Sequence, residues 1–141
     1  MLWNRSYETG VEEIDKQNLD LLSRLEAMTG PDTDMARFEQ LENFEKAAME
    51  YFEREQAMHY DCRYSDADIH RYAHAGYLKH LRRIGCDYVD RGETLAHEMF
   101  FRKNAVESLK KHILNQDMSF AEFYKNAVDV GIETCDHTPA R

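Results

Sequence analysis

YFEREQAMHYDCRYSDADIHRYAH, residues Tyr51 to His74, spaces polar groups four apart twice: Tyr51 and Glu55, then His70 and His74. Four residues make about one helical turn, so each pair projects from one side of its helix. Tyr51 and Glu55 continue an apolar face built by Ala48, Phe52 and Met58, and the histidines continue another built by Tyr77, Leu78 and Leu81. Between them "DCRYSDAD" reads as a short turn, with Ser65 or Asp66 as the N-cap of the next helix. The stretch predicts two amphipathic helices whose core-facing stripes carry ionisable groups. Burying such groups costs free energy unless something satisfies them.

The rest of the chain repeats the helical pattern. Ile14, Leu21, Leu22, Leu25 and Met28 form a stripe on a first helix from about Asp15 to Met28, which "TGPDTD" ends through Gly30 and Pro31-Asp32. The second helix starts near Met35, carries Phe38, Leu41 and Phe44 inward, and reaches about His59. The third places Tyr77, Leu78, Leu81, Ile84 and Tyr88 on one side. A fourth, from about Glu93 to Asn115, turns Leu95, Met99, Val106, Leu109 and Ile113 inward. A shorter segment from Phe120 to Val128 is expected to fold back over one end, and the tail after Gly131 to be loose. Similar lengths and short connections predict an all-α, antiparallel up-down-up-down four-helix bundle with a short C-terminal helical segment, one domain over residues 1–141.

Composition narrows the function. With 141 residues, 43% hydrophobic and 32% charged, the chain can bury a core and is not of the disordered class. A net charge of -9 opposes nucleic acid and anionic membrane surfaces as partners. No apolar run approaches the roughly 20 residues of a spanning helix, and the polar start "MLWNRSYETG" is not a signal peptide. Three cysteines, Cys62, Cys86 and Cys135, lack paired spacing, so a reducing cytoplasm is expected.

Depth along the bundle follows from counting residues from the turns. From the turn near Arg63, Glu55 lies about eight residues back and His70 and His74 about seven and eleven forward; at ~1.5 Å per residue these share one level. From the turn near Arg91, His74 and His112 lie at similar depth. On the first helix Asn18 stands between Ile14 and Leu21-Leu22. Asp117 follows His112 by five, about 140° away on a regular helix, so it joins the same level only if the helix ends or distorts near Asn115-Gln116. One layer thus collects three imidazoles and two carboxylates, with an amide and a phenol beside them. A lone histidine on an apolar face is usually a hydrogen-bonded core residue, but this convergence is answered by a divalent cation that satisfies all five at once. Imidazole and carboxylate without thiolate suit iron, manganese or zinc. His59 reads as an end-of-helix surface residue or a substitute ligand, His80 and His97 as solvated, and "CDH" at Cys135 to His137 as a tail motif.

Four stretches resemble the hemerythrin family, of the bacterial kind: "W…Y.TGVEEIDKQ" at Trp3 to Gln17, "FEREQAM" at Phe52 to Met58, "Y…..H…H" at Tyr64 to His74, and "H….D" at His112 to Asp117. They come in order and cover nearly the whole chain. The resemblance implies a bundle holding two irons bridged by a Glu and an Asp, with oxygen bound end-on to one of them. It implies His70, His74 and His112 as ligands of the iron that does not bind oxygen, and Glu55 and Asp117 as the bridges. The two histidines of the oxygen-binding iron are replaced by Asn18 and Tyr51. A phenolate at Tyr51 would suit ferric iron, or the pair would plug a vacated pocket, leaving one iron instead of two.

Three functions are compatible with these residues. One is a non-haem iron protein that binds or senses oxygen, nitric oxide or peroxide without turnover. Another is an oxidoreductase, peroxidase or ferroxidase-like, using a ferric site with Tyr51 as ligand. The third is an interaction module with a vestigial metal site. A sensor would act through a separate partner or as a homo-oligomer.

Overall fold

The computed structural model describes residues 2–29, 34–92 and 94–129. A 3-10 turn at Arg5–Tyr7 precedes α1 (Glu12–Ala27), α2 (Asp34–Cys62), α3 (Ala67–Arg91) and α4 (residues 95–129). No strand occurs among the described residues. α1 packs on α2 and α4, α3 does the same, and α2 also meets the end of α4. The result is a bundle of helices around a shared core.

Local chemistry sets the helix ends. Asp15 reaches back over the start of α1, its carboxylate accepting from the backbone N–H groups of Thr9 at 2.8 Å and Gly10 at 3.1 Å, and from the Thr9 hydroxyl at 2.7 Å. This satisfies donors at the helix entry much as a capping box does. Gly10 turns there with φ of 88°, open to glycine at little cost, and Lys125 Nζ donates to the Thr9 carbonyl at 2.8 Å, tying this turn to the end of α4. Gly92 stops α3 with φ of 62°, its N–H donating to the Tyr88 carbonyl at 2.8 Å.

α4 is one unbroken helical run with two wide turns. Leu95–Phe101, Ser108–His112 and Met118–Asp129 are α-helical, and Arg102–Glu107 and Ile113–Asp117 between them are π-helical. A π segment shifts the hydrogen bond from i−4 to i−5 and changes the face of everything beyond it. Inside the first one, the Tyr77 hydroxyl donates to the Ala105 carbonyl at 2.7 Å, giving that group a partner from α3. The segment expected to fold back from Phe120 therefore continues α4, because the second π turn redirects side chains without breaking the backbone. Leu95, Met99 and Phe38, expected inside, are exposed. They lie on outer turns that the neighbouring helices do not cover. Glu93, Gly30, Pro31, Asp32, Cys135 and the tail from Gly131 fall outside the described residues.

Two apolar clusters bracket a polar layer. The larger includes Leu21, Leu22, Leu25, Phe44, Phe52, Tyr77, Leu81, Leu109 and Ile113; the smaller includes Ile14, Met58, Tyr64 and Phe120. Along every helix the polar residue falls between members of the two: Asn18 between Ile14 and Leu21, Glu55 between Phe52 and Met58, His70 and His74 between Tyr64 and Tyr77, Asp117 between Ile113 and Phe120. Leu21, Leu22 and Leu25 have no exposed surface, and truncating one such side chain to Ala costs about 2–5 kcal/mol. No helix among the described residues is long and apolar enough to cross a membrane.

Candidate metal centre

Glu55 from α2, His70 and His74 from α3, and His112 and Asp117 from α4 meet in the polar layer. All five are buried, and one ligand atom from each lies within 4.8 Å of the others. Glu55 Oε1 stands 3.0 Å from His74 Nε2 and 3.3 Å from His70 Nε2. Asp117 Oδ1 stands 3.1 Å from His70 Nε2 and 3.0 Å from His112 Nε2. Donors about 2.1 Å from one first-row cation lie about 3.0–4.2 Å apart; the closest pairs here have hydrogen-bond spacings within that range, and the whole set, within 4.8 Å, is slightly wider.

The second π turn is what makes this meeting possible. With i→i+5 bonding through Ile113–Asp117, residues five apart stack on one face as residues four apart do on an α-helix. His112 and Asp117 are five apart. The distortion that the sequence requires near Asn115-Gln116 is present in this form.

The surroundings aim the donors. The Nδ1–H of His74 donates to Gln56 Oε1 at 2.9 Å, which leaves the Nε2 lone pair facing the layer. The Phe52 ring stacks on His74 at 3.9 Å with planes 3° apart, restraining its rotation. Gln56 carried no signal in the sequence beyond its place beside Glu55. Its role depends on the α2–α3 pairing, which only the structure supplies.

Two of the five donors carry unpartnered atoms. Glu55 Oε2 is buried without a hydrogen bond, and His112 Nε2, though 3.0 Å from Asp117, lacks the alignment of one. Buried polar atoms without partners are uncommon in native proteins. The donor chemistry, three imidazoles and two carboxylates, fits iron, manganese or zinc.

Burial and crowding set the protonation of the layer without metal. Burial, helped by the Asp117 charge, pushes Glu55 up to about 8. Burial alone would lower His70, but its contacts with Asp117 and Glu55 raise it to about 9. Asp117 is held well below the usual carboxylate range by His112 and His70, against the effect of burial. Burial, with His112 and His70 nearby, drops His74 far below an ordinary histidine. At neutral pH the layer then holds an ionised Asp117 paired with a protonated His70, and a protonated Glu55 donating to neutral His74.

Asn18 and Tyr51 take different places. The Asn18 amide donates to Asp117 Oδ2 at 3.0 Å, at the edge of the layer. The Tyr51 hydroxyl donates to Asp20 Oδ2 at 2.5 Å, and the side chain lines an open surface pocket with Glu12, Lys16 and Arg54. His59, expected at the surface, is buried, because the end of α4 covers it with Phe120. Its signal lay in the spacing Phe52, Glu55, His59, which continues one helical stripe. His97, expected in solvent, is buried as well. Its Nδ1 pairs with Asp87 Oδ2 at 2.8 Å and its ring stacks on Tyr88. His80 is half-buried. Cys62 is buried and Cys86 exposed, and the two form no disulfide with each other.

Comparison of the chain with family models, curated proteins and solved structures gave no match.

Proposed function

We propose that this chain is a hemerythrin-like non-haem iron protein of the cytoplasm. In this reading an up-down-up-down bundle holds the metal in its polar layer and binds or senses a small ligand such as oxygen, nitric oxide or peroxide. The topology is supported by the order of the apolar clusters, which alternates from helix to helix along the chain. The observation that carries the reading is the single buried layer in which three imidazoles and two carboxylates bring ligand atoms within 4.8 Å of one another. When bound, iron would supply an exchangeable coordination position and a ferrous–ferric couple. The protein's own part is to orient His74 through Gln56 and Phe52, to fix Asp117 through Asn18, and to exclude bulk water with the apolar clusters on either side.

One cation per chain is favoured over two. The Asn18 amide N–H is committed to Asp117 Oδ2 and the Tyr51 hydroxyl to Asp20, so both replaced positions are turned to carboxylates of the protein and not left open around a second ion. This supports ligand sensing over reversible oxygen carriage, and it argues against a phenolate-ligated oxidase. Output would pass to a partner or through a homo-oligomer.

The test is elemental analysis of protein purified from iron-replete cells without added metal, followed by addition of nitric oxide to the reduced protein. About one iron per chain and a new visible absorption band are expected. Protein that takes up no iron, manganese or zinc would refute the reading.

A further inference from the structure

His59 is 2% exposed, and neither of its ring nitrogens has a hydrogen-bond partner. A neutral imidazole carries one donor and one acceptor, and burying both unmet is costly unless something takes them up. The ring is not placed at random. Its centroid lies 4.3 Å from that of His70, against 4.5, 5.0 and 4.9 Å among His70, His74 and His112. It therefore extends the imidazole array at the spacing of the array itself. On α2 it stands one turn beyond Glu55, the interval at which two side chains of a helix grip one ion, and Glu55 Oε2 is also without a partner. The rings of Phe120 and Tyr64 pack against it at 4.3 and 5.3 Å, so its nitrogens sit in an apolar wall beside the polar layer.

We propose that His59 is a fourth imidazole ligand of this centre. It joins Glu55, His70, His74, His112 and Asp117 in a set of four nitrogens and two carboxylates. The proposal rests on the metal-binding reading above. His59 is outside the five whose donor atoms already lie within 4.8 Å, so metal binding draws it in by rotation about its side-chain bonds. That rotation satisfies the imidazole that the packing leaves unmet.

The test uses the full chain loaded with Co(II). Each ligating imidazole then gives one exchangeable, far-shifted ring N–H proton resonance. Four are expected in the wild type and three in His59→Met, whose unbranched apolar side chain fills the same wall. Co(II) should bind the variant at least about tenfold more weakly, the lower bound for losing even an outer partner of a ligand. Three resonances in the wild type would overturn the proposal whether or not the variant folds, as would equal affinity in the two proteins. Both results would leave the five-residue site standing. Wild-type protein that binds no Co(II) and shows no shifted resonance would fail the metal-binding reading and this proposal together.

Discussion

Glu55 and His70 together should release about two protons for each metal ion taken up at neutral pH. In the layer without metal, Glu55 is raised to about 8 and His70 to about 9, so at pH 7 both hold a proton that a cation must displace. Asp117 is already ionised and His74 already neutral, and neither contributes. Ligands bind metal in their deprotonated forms, so each bound proton weakens apparent affinity tenfold per pH unit below its titration. Two of them make Kd fall about 100-fold between pH 6 and pH 7, about 2.7 kcal/mol of apparent binding free energy. The dependence should flatten above about pH 9, where both groups are free of protons. Calorimetric titration with Co(II) or Zn(II), in buffers of equal pH but different ionisation enthalpy, reads the proton number as a slope. A slope near zero at pH 7, or a Kd that stays level from pH 6 to pH 7, would refute the assignment of a protonated Glu55 beside a protonated His70.

Other outcomes test neighbouring parts of the same argument. His74→Ala should abolish stoichiometric metal binding by equilibrium dialysis, since it removes the ligand whose orientation Gln56 and Phe52 fix. Removing metal with a chelator should lower Tm: at free metal 1,000-fold above Kd, binding adds about 4 kcal/mol to stability, which is roughly 8–16 °C for a chain of this size by calorimetry. Tyr51→Phe should leave metal content and visible spectrum unchanged and cost about 1 kcal/mol in urea unfolding, because its hydroxyl serves Asp20 and not the metal layer. Asn18→His combined with Tyr51→His should raise metal content toward two per chain by elemental analysis, because it removes the amide from Asp117 Oδ2 and supplies two new donors.

The fold was legible where one periodicity governed it. The Leu21, Leu22 and Leu25 stripe and the Phe44, Ala48 and Phe52 stripe read as helices and are helices, since burial of one face at 3.6-residue spacing leaves little alternative. The five donors were legible too, because two pairs four apart and a count from the turns place them at one depth. The replaced pair was harder to read. Sequence puts Tyr51 on the face of Glu55, but a phenol is long enough to leave that face, and the Asp20 carboxylate across α1 captures it. His59 reads from sequence as an end-of-helix surface residue or a substitute ligand, and it is buried because α4 runs on and covers it with Phe120. Helix ends are where pattern reading is weakest, since whether the last turn is covered depends on a neighbour far away in the chain.

The π turns tie these observations to function. A regular α4 would aim Asp117 away from His112, and the layer would lose the carboxylate that holds His70 in its charged form. Insertion of a wide turn costs α-helical hydrogen bonds, and the first such segment, Arg102–Glu107, is steadied by a buried donor, the Tyr77 hydroxyl. The second, Ile113–Asp117, ends on a residue of the polar layer, with Asn18 on one oxygen of Asp117 and His70 and His112 on the other. The two carboxylates then differ in one respect. Asp117 has both oxygens engaged within the protein, while Glu55 keeps Oε2 without a partner, one helical turn before an imidazole in the same condition. Two of the layer's unpartnered groups thus stand together at the end of α2. If His59 ligates as proposed, Glu55 and His59 together would give the end of α2 two adjacent donors for one ion, one helical turn apart.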